Sequence, residues 1–205
     1  MMLRLTGFFW ILLAGAVFGL IHSLLASNWS KNLAARWFGE RSRKYYRLFF
    51  VGIATLTTLA YLSLVILLPD ELIYIIHAPW VYLTLAVQAV AVVGILVSLS
   101  QISTAGFLGL TALPWFKNTP SAYKPPSLVT GSLYRWVRHP IYTCTFLFLL
   151  CMPWLSWNTL AFIIGVVVYT VIGAVFEEKK MVQEFGAAYL EYQKKTPMFL
   201  PFRLK

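Results

Sequence analysis

Apolar residues run along this chain in blocks of about 20, the length a helix needs to cross about 30 Å of hydrocarbon. Such blocks lie at about 7–27, 46–68 and 80–100. The stretch from Tyr142 to Phe176 carries no charge but is broken by Pro153 and by the polar step Ser156-Trp157-Asn158. It predicts two shorter spans, about 140–155 and 158–176, joined by a tight turn. Five transmembrane helices are therefore expected, the last two forming a tight helical hairpin. Beyond them Met181, Phe185, Ala188, Tyr189 and Tyr192 recur at helical spacing, with Lys180, Glu184, Glu191 and Lys194 between. That pattern predicts an amphipathic helix lying on a membrane face over about 177–195. Between the third and fourth spans, residues 101–137 hold Gly106, Gly109, Pro114, Pro120, Pro125, Pro126 and Gly131, which predicts a loop of broken structure. Its Phe107, Leu108, Leu110, Leu113, Trp115 and Phe116 suit a segment that lies in the interface or folds over a site, and long ordered loops tend to be functional.

Composition points the same way. Hydrophobic residues make up 60% of the 205 positions and charged ones 12%, with a mean hydropathy of +0.73, against roughly 45–50% and about 25% in soluble domains. The expectation is an all-α integral membrane protein with a single membrane domain over 1–205. Neither an internal repeat nor a low-complexity tract interrupts it.

The cations set the orientation. Lys31, Arg36, Arg41, Arg43, Lys44 and Arg47 follow the first span; Lys117, Lys124, Arg135 and Arg138 follow the third; Lys179, Lys180, Lys194, Lys195, Arg203 and Lys205 follow the fifth. Arg4 alone lies elsewhere, and the segments 69–79 and 153–158 carry no Lys or Arg, the first holding Asp70 and Glu71. An outside N-terminus and a cytoplasmic C-terminus follow, with the loop 101–137 and the C-terminal helix on the cytoplasmic side of a multi-pass protein, in the plasma or inner membrane if the source is bacterial. The net charge of +10 is then topological. It argues against nucleic-acid binding, because the cations are split over three segments and no nucleic-acid motif accompanies them. The first span starts like a signal peptide after Arg4, but its length and the cationic segment directly behind it favour a retained helix. Cys144 and Cys151 stand two turns apart on one predicted helix, about 10 Å, too far for a disulfide, and read as small packing residues.

Candidate chemistry concentrates at one end of the hairpin. Arg138-His139-Pro140-Ile141-Tyr142 opens it and Glu177-Glu178 closes it, so His139 and Tyr142 are expected beside the two carboxylates at the cytoplasmic boundary. Taken singly, His139 reads as a helix-start residue before Pro140, and the acidic pair as a solvated one offset by Lys179-Lys180. Together, and with a broken loop leading into the first, they read as one site, since ionisable groups beside hydrocarbon are costly unless they function.

The segment Gly131-Ser132-Leu133-Tyr134-Arg135-Trp136-Val137-Arg138-His139-Pro140-Ile141-Tyr142, the hairpin, Glu177-Glu178, Phe185-Gly186, Tyr189, Tyr192 and the closing Thr196-Pro197-Met198-Phe199-Leu200-Pro201-Phe202 resemble the C-terminal half of isoprenylcysteine carboxyl methyltransferases and related membrane methyltransferases. The resemblance covers about 130–202. It implies a cytoplasm-facing enzyme that binds S-adenosylmethionine at the end of the hairpin and methylates a lipophilic or small acceptor. It further implies that Leu133, Tyr134, Arg135, His139, Pro140, Tyr142, Glu177 and Glu178 bind the cofactor. One departure stands out: a family Gly two residues after the motif Tyr is Cys144 here. At the N-terminal end His22-Ser23-Leu24-Leu25-Ala26-Ser27, with Gly39-Glu40-Arg41 and Tyr46-Arg47, resembles the start of denitrification-associated membrane proteins and of methanethiol S-methyltransferases.

The chemistry suits this resemblance. Methyl transfer from a sulfonium is an in-line displacement governed by positioning; it needs no metal, and no metal-ligand cluster is visible. Glu178 suits ribose hydroxyls or an amino group, Tyr142 or Trp136 a sulfonium through a cation–π contact, and Arg135 or Arg138 a carboxylate through the guanidinium fork. The acceptor, entering from the bilayer, is expected to be a thiol or an isoprenylcysteine-like carboxylate. A thiol gains from a nearby base or cation, for which His22 and Arg138 are the candidates; His22 reads equally as a helix-packing residue, and His77 as interfacial. Two rivals stay open: an NADPH-dependent membrane reductase of the sterol-reductase type, whose motif generally has Asn where Pro140 stands, and a non-catalytic membrane accessory protein.

Overall fold

The computed structural model describes residues 7–114 and 127–202. Arg4, Trp115, Phe116, Lys117, Pro120, Lys124, Pro125, Pro126, Arg203 and Lys205 therefore lie outside the described residues. Among the described residues the protein is all-α apart from two short strands: α1 (Phe8–Ala26), α2 (Asn28–Phe38), α3 (Arg41–Leu67), β1 (Leu72–Ile75), α4 (Trp80–Ser100), α5 (Thr104–Phe107), α6 (Pro140–Leu150), β2 (Trp154–Ser156), α7 (Trp157–Phe185) and α8 (Ala187–Lys195). β1 and β2 pair with each other. α1, α3, α4 and α7 are each long and apolar enough to cross a membrane.

The surface is inverted relative to a soluble protein. Leu20, Leu56, Ile66, Val90, Val93 and Val168 are all at least half exposed, whereas Gln88, Ser98 and Asn158 are buried. Lipid tails take the place of a core for the outward Leu and Val, and the interior is left to small and hydrogen-bonded groups.

The chain divides into two compact units. The first contains the described residues of Met1–Leu72, Ser103–Lys124 and Ser156–Tyr169. Its centre is Tyr61, packed with Ile11 and Ala161. The Tyr61 ring reaches a notch left by two glycines: a Cβ on Gly15 or Gly165 would stand 2.6 Å or 2.5 Å from its hydroxyl. Asn158, fully buried, donates from Nδ2 to Leu68 O at 3.1 Å and Pro69 O at 3.3 Å, satisfying carbonyls orphaned at the end of α3. Ser27 joins α1 to α2 in a single residue, its hydroxyl accepting from Ser30 N at 3.2 Å as an N-cap. The Tyr46 hydroxyl ties α3 to α1 by donating to Leu25 O at 2.8 Å. The first part of the long loop folds onto α3: Arg47 Nε donates to Phe107 O at 2.7 Å, and Gly109 (φ 75°) sits where a Cβ would meet Leu48 N at 2.6 Å.

The second unit contains the described residues of Ile73–Ile102, Pro125–Leu155 and Thr170–Lys205. α4 and α6 pack along each other: Gln88 Nε2 donates to Phe148 O at 3.1 Å, and Cys144 faces Gly94, where an added Cβ would stand 2.6 Å from Sγ. This locates the Cys that replaces the expected Gly. Its sulfur fills a glycine notch on the neighbouring helix.

Two expected elements take a different form. The fourth span, expected over about 140–155, is helical only over Pro140–Leu150, about 16 Å. Beyond it the chain turns extended, with Ile76 N donating to Pro153 O at 2.8 Å. Four helices, not five, meet the length of a full crossing among the described residues. The amphipathic helix expected over 177–195 is two pieces, because α7 runs on to Phe185 and Gly186, at φ 58°, breaks it before α8. A left-handed residue cannot sit inside an α-helix, and glycine adopts it at no steric cost.

Candidate active site

The site is built wholly within the second unit. Pro140 occupies the first turn of α6, where a missing N–H costs nothing, and this leaves Arg138 and His139 in non-helical chain just before the helix. That chain pairs with the C-terminal strap: Arg138 N donates to Pro197 O at 2.9 Å and His139 N to Met198 O at 3.1 Å. The Thr143 hydroxyl adds a bond to Phe199 O at 2.7 Å. Leu133, Tyr134 and Arg135 lie on the single helical turn Ser132–Arg135, anchored by the Tyr192 hydroxyl, which donates to Tyr134 O.

α7 brings in the carboxylates. At about 29 residues × 1.5 Å it is longer than the hydrocarbon is thick; its uncharged part ends at Phe176, so Glu177 and Glu178 belong to the polar extension. Neighbours on a helix point about 100° apart. Glu178 follows the buried Ala174 by one turn and is itself buried, whereas the Glu177 side chain is 40% exposed.

Glu178 is saturated. Its Oε1 accepts from Arg138 Nε at 2.8 Å and from the Tyr189 hydroxyl at 2.9 Å, and lies 2.9 Å from His139 Nε2. Its Oε2 accepts from Arg138 Nη2 at 2.8 Å and from Gln193 Nε2. A carboxylate offers about four lone-pair positions, so none is left over. Arg138 is nearly as fully used, since Nη1 donates to the carbonyls of Gln193 and Thr196. Burial alone drives the Glu178 carboxyl up, but the bonds from Arg138, Gln193, His139 and Tyr189 outweigh it and hold the group at about 2. Tyr189 moves the opposite way: burial and then the bond to Glu178 raise its phenol above the ordinary range. Burial pushes Tyr192 up to about 12, and burial with the nearby Glu177 charge raises Tyr134.

Glu177 is the carboxylate with room. It accepts from the Tyr142 hydroxyl at 2.9 Å and lies 3.7 Å from His139 Nδ1. The His139 and Tyr142 rings stack with centroids 5.2 Å apart and 7° between planes, with Phe199 5.7 Å from the imidazole. A groove of ≈ 510 Å³ borders this cluster, its wall including apolar Val175, Val182 and Met198 and polar Glu178, Lys179 and Gln193. Among the described residues no group of three or more His, Cys, Asp and Glu is placed to hold a metal.

The site expected from the sequence thus assembles unequally. Arg138, His139, Pro140, Tyr142, Glu177 and Glu178 come together, with Tyr134 beside them; Arg135 points its guanidinium over Trp136 at 5.5 Å. His22 belongs to the first unit, its Nδ1 2.9 Å from Phe18 O and its ring packed on Phe18, Phe50 and Tyr169. Sequence reasoning left out Gln193 as a partner of Glu178. Its signal was present in the helical phase of α8: Gln193 stands one turn after Tyr189, on the face that meets Glu178.

A family model described as phospholipid methyltransferase matches residues 81–188, more than half of the chain and all of the helix pair carrying the site. The chain belongs to this family of membrane methyltransferases. Similar relatives include methanethiol S-methyltransferase of Pseudomonas deceptionensis, 36% identical over 90 residues, or 42% of this chain and 34% of the relative. The methanethiol S-methyltransferase of Mycobacterium tuberculosis is 34% identical over 70 residues, 34% of this chain and 29% of the relative. A protein-S-isoprenylcysteine O-methyltransferase of Xenopus laevis is 37% identical over 83 residues, 37% of this chain and 27% of the relative. The matches span about a third or less of the length of these relatives. No solved structure matches the chain.

Proposed function

We propose that the protein is an S-adenosylmethionine-dependent methyltransferase whose cofactor is held by Glu177, Tyr142, His139 and the Leu133–Arg135 turn, and whose acceptor is a thiol or lipophilic carboxylate drawn from the bilayer. The observation that carries the reading is the division between the two neighbouring glutamates: one is locked into the protein, the other half-exposed and steered by Tyr142 beside a stacked aromatic pair.

These residues fit such a cofactor. Glu177 has acceptor positions for ribose hydroxyls or an ammonium group, and the His139–Tyr142 stack offers π-faces toward a cation, worth about 0.5–2 kcal/mol. The bound cofactor supplies an electrophilic methyl group. The protein's part is placement: Arg138, Glu178, Tyr189 and Gln193 fix the His139 and Tyr142 side of the site, and Pro197–Phe199 close it. Arg138 is a positioning residue in this reading, because four of its five donors are already taken, and His22 a packing one. Arg135, on the exposed side of its turn, is the guanidinium left to meet a ligand carboxylate. The groove beside Glu178, with Val175, Val182 and Met198 in its wall, suits an acceptor that partitions into lipid first. The bias of the cations toward three segments supports a cytoplasmic site and C-terminus in this reading.

Calorimetry on the detergent-purified chain tests this. S-adenosylmethionine and S-adenosylhomocysteine are expected to bind and NADPH not to; Glu177→Gln and Tyr142→Phe weaken binding at unchanged melting temperature. NADPH binding alone overturns the reading in favour of a reductase, and no binding by any of the three in favour of an accessory protein.

A further inference from the structure

The α2 helix has a surface that the methyltransferase reading does not use. It is 11 residues long, about 16 Å, and is joined directly to the two apolar helices α1 and α3, so it can only lie at the end of that pair, not cross. One side, around Ala35, packs inward. Trp29 and Trp37, exposed to 66% and 73%, stand within about 80° of each other on another side, with Arg36 beside Trp29, and Phe38, 76% exposed, ends the helix. Trp on an otherwise polar helix is the composition of a membrane–water boundary.

The charges are as one-sided as the rings. Between residues 27 and 50 stand Lys31, Arg36, Arg41, Arg43, Lys44 and Arg47 against a single acid, Glu40. Arg43 takes up that acid, Nε to Oε2 at 2.6 Å, and Arg47 is turned onto Phe107. Among the described residues no carboxylate stands within ion-pair distance of Arg36, Arg41 or Lys44.

We infer that α2 and the first turn of α3 form a docking surface for the anionic phospholipid headgroups of the host bilayer, with Trp29, Trp37 and Phe38 in the interface and Arg36, Arg41 and Lys44 on the phosphates. A simple topological role for the cations accounts for their side of the membrane but asks for no preference among lipids. The surface requires one, because guanidinium and ammonium groups without carboxylate partners favour a net negative headgroup over a zwitterion. The inference does not rest on the methyltransferase reading.

The test uses the full chain in a neutral detergent, titrated with phosphatidylglycerol or phosphatidylcholine and followed by melting temperature and by lipids retained in native mass spectrometry. Phosphatidylglycerol is expected to bind at least about tenfold more tightly, with the preference falling as salt is raised. The triple variant Arg36→Gln/Arg41→Gln/Lys44→Gln loses the preference. Arg36→Lys/Arg41→Lys keeps it, which guards against a folding defect, and Lys179→Gln/Lys180→Gln leaves it intact. Equal binding of the two lipids, a preference that survives the triple variant, or one lost equally in the Lys179/Lys180 variant overturns the inference.

Discussion

Arg138 grips Glu178 with two parallel bonds, Nε to Oε1 and Nη2 to Oε2, both 2.8 Å, and both side chains are about nine-tenths buried. The pair joins the start of α6 to the polar end of α7, and through the remaining Arg138 donors it also holds the end of α8. Breaking a buried pair from one side leaves an uncompensated charge and costs about 3–5 kcal/mol. Glu178→Ala is therefore expected to lower the melting temperature in detergent steeply, and Glu177→Ala to leave it within about 0.5 kcal/mol of wild type while weakening ligand binding. Equal melting losses in the two variants would contradict the division of roles.

The same carboxylate sets a pH dependence. Its value falls from 4.5 to about 2 in the folded protein, against burial, because four neighbours donate to it. A depressed acid stabilises the fold fully above its unfolded value and loses that contribution as pH falls through the folded one. Between pH 4.5 and about 2 the wild type is expected to lose melting temperature faster than Glu178→Gln, whose amide does not titrate there. Parallel melting curves for the two proteins over that window would remove Glu178 as the responsible group.

Cys144 and Gly94 form a size-matched pair, and this yields a double-mutant test. Gly94→Ala places a methyl 2.6 Å from Sγ, an overpacking that costs about 1–3 kcal/mol. Cys144→Gly opens room for it, so the double variant should melt well above the sum of the two single losses. A sum that is simply additive would mean the sulfur is not what occupies the notch.

Much of this protein was legible along the chain. α1, α3 and α4 follow from hydropathy because lipid exposure demands apolar residues on nearly every face, and no packing detail can override that. The pairing of Arg138–Tyr142 with Glu177–Glu178 was legible as well, because a hairpin must return to the side it left. What escaped was whatever depends on helical phase or on one residue's dihedral. Nothing in Glu177-Glu178 says which one turns inward; that is fixed by Tyr189 and Gln193 on α8. The break at Gly186 and the early end of α6 at Leu150 were equally hidden, the latter because the chain leaves the helix at Cys151 and Trp154–Ser156 pairs with β1 instead.

The first unit offers a last test, in which removing a polar atom is expected to help. The Tyr61 hydroxyl is buried, has no hydrogen-bond partner among the described residues, and is held between Gly15 and Gly165. A buried hydroxyl without a partner carries a desolvation cost of about 1–3 kcal/mol, and the ring is already wedged among Ile11, Phe18 and Phe162. Tyr61→Phe keeps that packing and discards the cost, so its melting temperature should equal or exceed the wild type's. Gly165→Ala in the wild-type background drives a methyl against the hydroxyl and should destabilise; in the Tyr61→Phe background most of that loss should vanish, since the nearest remaining ring atom is 3.7 Å from the added Cβ. A Tyr61→Phe protein that melts lower would show that the hydroxyl is bonded after all, for instance to a buried water between the two glycines.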